Sequence, residues 1–351
     1  MSEQTEPTVT APSDLAKEML DRLGVTANRT ILNDILTTSL LLATDTAEEL
    51  NLKITRSALD EMRNAFRLFA QYRDRPKVSI FGSARTKPDD PLYGQAKLLA
   101  EDMAQQGWMV VTGAGPGIMS AGIEGAGAEN SIGVSIRLPF EQATNHLLDD
   151  GTGVERLVSM KYFFTRKLML IKESAAFVSL PGGFGTLDET FELLTLVQTG
   201  KSTPAPIVFL DVPGGSYWAS IARFVREELI SRGLVSDDDD DLYLVTDDVH
   251  RARQEILRFY DNYDSLRYVG DRLVIRLRRS PTPAQLDDLN QRFGALCREG
   301  RIETAKTSRA EREDADKVDL PRIALRFDQR RYGLFRSFIN ALNDLPAVDP
   351  G

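Results

Sequence analysis

The sequence predicts an α/β protein built on a doubly wound parallel sheet, and three observations predict it. Short apolar runs at 77–81 (KVSIF), 108–112 (WMVVT) and 175–180 (AAFVSL) have the length and content of buried strands. Longer stretches of helical period separate them, so strand and helix alternate. Glycine-rich segments follow several runs, at the carboxyl ends of the strands, where sheets of this kind bind ligands. The expected organisation is a disordered tail and helical extension over 1–75, a Rossmann-like nucleotide-binding catalytic domain over 76–263, and a small α+β module over 264–351.

In the first part, residues 1–13 are rich in Ser, Thr, Glu and Pro and read as a disordered tail. Leu15, Met19, Leu20 and Leu23 then fit one helix face, and 33–43 is a second helical stretch. A third runs over 57–72, with Ser57-x-x-Asp60 as its start signal. These helices are expected to cap the next domain.

In the second part, strands are expected at 77–81, 108–112, 132–136, 156–160, 175–180, 206–211 and 242–246. Helices are expected at 91–105, 117–128, 161–174, 186–198, 216–232 and 250–260. The third part reads as βαββα. It comprises a half-buried strand at 272–279 (RLVIRLRR), a helix at 282–297, strands at 301–307 and 323–327, and a helix at 332–342. Its arginines are matched by carboxylates, so a solvated mixed-charge surface is expected, with 308–318 as a charged loop. The acidic run 237–241 reads as a hydrated loop and not as a metal site.

Composition removes several function classes. The chain has 351 residues, 27% of them charged, and a net charge of −9, which gives no general attraction to nucleic acid or acidic membranes. No apolar run reaches the roughly 18 residues of a membrane span, and the polar, acidic start does not read as a signal peptide. The expected compartment is the cytoplasm. One cysteine, Cys297, makes no internal disulfide and no cysteine-based zinc site. Two histidines, His146 and His250, are too far apart for a helical metal pair. No metal and no cofactor are expected.

Chemistry is expected in three loops of small residues. They are Phe81-Gly82-Ser83-Ala84-Arg85, Gly113-Ala114-Gly115-Pro116-Gly117 and Pro181-Gly182-Gly183-Phe184-Gly185-Thr186, the last opening a helix. Glycine lets backbone amides approach a ligand, and a helix N-terminus offers unpaired N–H groups and partial positive charge, which suits phosphate. Neither the second nor the third loop ends in Gly-Lys-Ser/Thr, which disfavours ATPase chemistry. Thr186 either caps the helix, with Glu189 completing a capping box, or gives its hydroxyl to phosphate. Arg166 and Lys167 interrupt an otherwise apolar helix, either as a surface pair or as part of a site.

The stretch from Ser159-Met160 to Arg166-Lys167, followed by Pro181-Gly182-Gly183-Phe184-Gly185-Thr186-Leu187-Asp188-Glu189, resembles the Lonely Guy family. Its members are cytokinin-activating phosphoribohydrolases, many once labelled lysine decarboxylases. The resemblance spans 76–262 and includes Gly82-Ser83 and the segment from Gly113 to Met119. It departs from the family at 160–165 (MKYFFT), where a Met-His or similar polar pair is usual, and in the long additions at both ends.

The resemblance implies hydrolysis of the N-glycosidic bond of a nucleoside 5′-monophosphate, a cytokinin riboside monophosphate or AMP-like, to free base and ribose 5-phosphate. Glu189 would stabilise the positive ribose ring and orient water, and Arg166 would hold Glu189, phosphate or the departing base. Gly182, Gly183, Gly185 and Thr186 would bind phosphate, with Lys167 in electrostatic support. Ser83, Gly115 and Gly117 would contact ribose or phosphate, and Met119 and Met160 would line the base pocket or pack in the core. A homodimer or higher homo-oligomer is implied, with the site near the subunit interface. Two other readings are a non-catalytic binding protein, similar to molybdenum-cofactor carriers, and a regulatory scaffold in which the terminal additions hold the core inactive.

Overall fold

The computed structural model describes residues 11–45, 48–137, 146–148 and 155–346. The chain forms two units, Met1–Arg63 and Asn64–Gly351. The tail expected over 1–13 lies, up to residue 10, outside the described residues.

Three helices come first: α1 (Pro12–Arg22), α2 (Arg29–Asp45) and α3 (Glu49–Phe69). Pro12 sits in the first turn of α1, where its missing N–H costs no bond. The apolar face differs from expectation. Ala16 and Leu20 are buried in α1, Leu15, Met19 and Leu23 are exposed, and α2 buries none of its residues. Ser57 lies inside α3 and starts no helix.

The parallel sheet follows. Its elements are β1 (Lys77–Phe81), α4 (Pro91–Gln105), β2 (Met109–Thr112), α5 (Ile118–Ala126), β3 (Ser131–Ile136), β4 (Leu157–Met160), α6 (Phe163–Lys172), β5 (Ala176–Ser179), α7 (Phe184–Gln198), β6 (Ile207–Leu210), α8 (Tyr217–Phe224), β7 (Leu244–Thr246) and α9 (Val249–Phe259). All neighbouring strands are parallel, in the order β4-β3-β2-β1-β5-β6-β7. β1, β2, β5 and β6 are buried at every residue, because helices cover both faces. Val78, Ile80, Val110, Val178 and Val208 belong to one core with Leu99 and Met103 of α4 and Ile256 of α9. Each such side chain contributes about 1.5–3 kcal/mol by leaving water. α4 starts where Asp90 accepts a hydrogen bond from the Leu92 N–H, with Pro91 next in line. The helix expected over 216–232 changes pitch: α8 ends at Phe224 and a π-helical turn runs over Val225–Ile230.

This strand order positions the site. The chain winds outward from β1 through β2, β3 and β4, then returns to lay β5 on the other side of β1. The loops after β1 and β5 therefore leave in different directions, and the carboxyl ends of these two strands open a crevice.

An antiparallel sheet completes the second unit: β8 (Tyr263–Val269), β9 (Arg272–Leu277), α10 (Pro283–Phe293), β10 (Cys297–Thr304), α11 (Arg309–Glu313), β11 (Arg322–Phe327) and α12 (Tyr332–Asn343), with strands in the order β10-β11-β9-β8. The expected βαββα order lacked β8 and α11. β9 is not half-buried, since every residue from Leu273 to Leu277 is buried. Leu273, Ile275 and Leu277 share a core with Leu289 and Phe293 of α10 and Phe335 and Phe338 of α12.

The opposite face holds ions. Arg276 donates through Nε and Nη2 to Glu311 Oε1 at 3.1 and 3.0 Å, and Arg322 Nη1 lies 3.4 Å from Glu311 Oε2. Arg276, Glu311 and Arg322 are each at most 3% exposed. The segment expected as a solvated loop therefore contains α11, and its Glu311 pairs with two arginines inside the module. Ser308 caps α11 in a capping box with Glu311.

The acidic run at 237–241 is likewise a joint and not a hydrated loop. The Asp238 carboxylate accepts from the Leu334 N–H at 2.8 Å, Gln198 of α7 donates to Asp239, and Ser337 Oγ donates to Asp241 at 2.6 Å. A Cβ on Gly333 would lie 1.9 Å from the Asp238 carbonyl oxygen, so α12 meets this turn backbone to backbone. No helix among the described residues is long and apolar enough to cross a membrane.

Candidate active site

The crevice at the ends of β1 and β5 holds a cavity of about 850 Å³. Its walls are the loop after β1, the loop and first turns of α7 after β5, and side chains from α5, α6 and α8. The two loops touch. A Cβ on Gly182 would lie 2.2 Å from Thr186 Oγ1 and 3.1 Å from the Ser83 nitrogen. Tyr217, at the start of α8, donates from its hydroxyl to the Gly182 carbonyl at 2.7 Å and so pins the loop from the side.

α7 begins two residues earlier than expected. Gly183 is the N-cap and no side chain caps the helix. Thr186 therefore stands in the first turn, and the capping box read from Thr186 and Glu189 does not form. An uncapped first turn carries N–H groups without intrahelical partners, together with the positive end of the helix dipole.

Arg166 and Glu189 meet in this cavity. Arg166 Nη1 donates to Glu189 Oε1 at 2.9 Å, and Arg166 Nε donates to the Val134 carbonyl of β3 at 2.9 Å. Their side chains are 10% and 13% exposed. Arg166 lies in the second loop's space: a Cβ on Gly113 would sit 2.0 Å from Arg166 Nη2, so Gly113 makes room for the guanidinium. Burial pushes the Glu189 carboxyl above its ordinary value, and the charges of Arg166 and Lys167 oppose but do not cancel that push. Such a carboxylate, held by one guanidinium on one oxygen, takes a proton more readily than an exposed glutamate does.

The structure brings Ser83, Met119, Arg166, Gly182, Gly183, Gly185, Thr186 and Glu189 to the cavity wall. It does not bring the others. Lys167 turns away, with Nζ 2.7 Å from Asp188 and 2.8 Å from Glu192, so its charge is spent on α7. Met160 is fully buried in β4 and does not line the cavity. Gly115 and Gly117 lie behind the wall. Gly117 has φ +68°, and a Cβ there would fall 2.3 Å from the Ser83 carbonyl oxygen. Its service is to let the second loop support the first.

Residues not singled out from sequence also line the cavity: Arg85, Phe163, Phe184 and Tyr217. Arg85 stood in a loop already marked as glycine-rich, and no described residue pairs with its guanidinium. Tyr217 opens the helix after β6, again at the carboxyl end of a strand. Phe184 is 94% exposed and Phe163 is 56% exposed, an apolar rim that a core-packing reading of the sequence overlooks.

Comparisons with known proteins agree with the sequence resemblance. Residues 111–256 match the family described as "Possible lysine decarboxylase". A "Probable cytokinin riboside 5'-monophosphate phosphoribohydrolase" of Oryza sativa subsp. japonica is 31% identical over 142 residues, covering 39% of this chain and 63% of the relative. A second rice protein so named is 30% identical over 142 residues, covering 54% of its own length. The chain thus spans somewhat over half the length of these curated relatives. A cytokinin riboside 5′-monophosphate phosphoribohydrolase of Arabidopsis thaliana is 24% identical over 164 residues, covering 46% of this chain and 72% of the relative. Among solved structures, a molybdenum cofactor binding protein from Rippkaea orientalis is similar at 18% identity and TM-score 0.36, covering 52% of this chain and 96% of that chain.

Proposed function

We propose that this cavity hydrolyses the N-glycosidic bond of a nucleoside 5′-monophosphate, a cytokinin riboside monophosphate or AMP-like, in the cytoplasm. The observation that carries the reading is the half-enclosed Arg166–Glu189 pair beside the uncapped first turn of α7. The relatives' names support the substrate class.

In this reading the 5′-phosphate sits on the N–H groups of the first turn of α7, with Ser83 and Arg85 on the facing loop. As the bond between C1′ and the base nitrogen breaks, its electron pair leaves with the base, which takes up a proton. Positive charge grows on the ribose ring, and the Glu189 carboxylate stabilises it. Glu189 then accepts a proton from the water that adds to C1′, giving ribose 5-phosphate, and releases it to solvent, which balances the proton that the departing base takes from solvent. Arg166 keeps Glu189 ionised and aimed. Met119 and the phenyl groups of Phe163 and Phe184 offer apolar surface for the base. The exposed Phe163, Phe164, Leu168 and Phe184 also suit a second copy of the chain, so the enzyme is read as a homodimer or higher homo-oligomer.

The test is base release, followed by chromatography, from a panel that includes AMP and isopentenyladenosine monophosphate. Release by the wild-type chain is expected. Tight nucleotide binding with no release from any member of the panel would remove the hydrolase and favour a carrier.

The pH profile gives a sharper check. Activity needs ionised Glu189, whose carboxyl titrates above its ordinary value of 4.5. Activity should therefore fall as pH drops through a point above that value. In Arg166→Ala the opposing cation is gone and burial acts with less opposition, so the acid limb should move to higher pH. An acid limb that stays in place in the variant would show that Arg166 does not control Glu189.

A further inference from the structure

The parallel sheet has a second cavity at the end opposite the crevice, about 470 Å³ in volume. It lies where α3 runs into β1 and where α6 runs into β5, and its lining is cationic. Arg73, Arg75, Lys77 and Lys172 reach it, against a single carboxylate, Glu173, which is already paired with Lys172.

Three of these cations make no ion pair among the described residues. Lys77 is 5% exposed, and its Nζ donates to two backbone carbonyls, Tyr72 at 2.7 Å and Arg75 at 2.9 Å. Arg75 donates to Asn130 Oδ1 at 2.8 Å and to the Gly107 carbonyl, both neutral. Arg73 has no partner among the described residues. Burial lowers the Lys77 ammonium from its ordinary value, with Glu173 and Asp74 opposing that push and Arg75 and Lys172 adding to it. A buried ammonium hydrogen-bonded only to carbonyls is an arrangement that an arriving anion would relieve.

The local sign runs against the whole chain, whose net charge is −9. The C-termini of α3 and α6 each add about half a negative charge nearby, and Lys77 answers the first through its bond to the Tyr72 carbonyl. Phe66 and Phe69 form the remaining wall, and the Phe66 ring lies 5.1 Å from Lys172 Nζ, which holds that ammonium toward the cavity.

We propose that this cavity is a binding site for a small free polyanion of the diphosphate class, separate from the crevice. Four lining cations against one lining carboxylate match the charge of a diphosphate better than that of a monophosphate, and the Arg73 guanidinium, with no partner among the described residues, is suited to bidentate phosphate contact. The site is built on the final turn of α6 and the residue after it, the helix whose first turns carry Arg166.

The experiment is calorimetric titration of the full chain with inorganic pyrophosphate at low salt. Saturable binding is expected, weakened at least about tenfold in Arg73→Glu/Lys172→Glu, because two attractive charges become repulsive. Binding at the crevice would survive that double substitution, since neither residue lines the crevice, and its survival would overturn the proposal. So would the absence of saturable binding to the wild-type chain. If the double variant does not fold, Arg73→Ala decides. Its side chain holds nothing else in place, and it should weaken pyrophosphate severalfold; unchanged affinity would again overturn the proposal.

Discussion

Glu189→Gln should lower base release by about 10²–10⁴-fold at neutral pH, the usual range for losing a positioned acid–base group. Glutamine keeps the volume of glutamate and can still accept from Arg166 Nη1, so the cavity keeps its shape. What disappears is the negative charge beside the ribose ring and the capacity to take a proton from water. The variant should fold as well as the parent. A carboxyl raised by burial contributes stability below its unfolded value of 4.5, and that contribution is lost as pH rises through the raised folded value. At neutral pH the ionised side chain is therefore a burden, and a neutral amide should leave the melting temperature unchanged or higher. Base release within tenfold of the parent, in a variant that melts normally, would remove Glu189 from the mechanism.

Glu311→Ala should destabilise the second unit by about 3–5 kcal/mol, the largest stability effect expected of any single substitution considered. The carboxylate is 0% exposed and accepts from Arg276, while Arg322 faces its other oxygen. Alanine would leave the buried Arg276 with Asp316 as its remaining anion and the buried Arg322 with only the Lys317 carbonyl, and would remove the capping box of α11. The cost should depend on pH. Burial raises the Glu311 carboxyl, but the hydrogen bonds from Ser308 and Arg276 and the charge of Arg322 outweigh it and hold the group below 4.5. Its stabilisation is thus present above 4.5 and lost as pH falls through the depressed folded value. Urea midpoints at pH 7 and in acid should show the gap between parent and variant narrowing. An equal gap at both would mean that the loss comes from packing and not from charge.

The parallel sheet was legible because its strands are buried on both faces and so read as unbroken apolar runs between amphipathic helices. β8 was not. Tyr263–Val269 mixes Asp, Ser and Arg with its apolar residues, since it is an edge strand with its residues mostly half-exposed. The Gly270-Asp271 turn that joins it to β9, with Gly270 at φ +61°, was the signal available. The arginines of β9 and β11 read as surface because charge usually is. Only the placement of α11 over the sheet, a long-range event, makes Arg276 and Arg322 interior.

The site divides the same way. Arg166, Glu189 and the Gly182–Thr186 loop could be read from the local chain. Lys167 could not be separated from Arg166 without the helix geometry that aims it at Asp188 and Glu192. Gly115 and Gly117 looked like ligand contacts because glycine marks close approach. Gly117 approaches the backbone of Ser83 and Ala84, and Gly115 the side chain of Met119.

The joint between the acidic turn and α12 has a consequence for how the protein is made. Asp238 and Asp241 lie far upstream of the Leu334 amide and Ser337 hydroxyl that satisfy them. At about 5–20 residues per second, a ribosome spends on the order of 5–20 s between finishing that turn and finishing α12. Throughout that interval the turn carries its aspartates without their α12 partners, and α7 is in place on one side only. Final locking of α7, which bears Glu189, therefore waits on the last stretch of translation, and a message truncated before α12 would yield a chain that has Arg166 and Glu189 but lacks the clasp behind them.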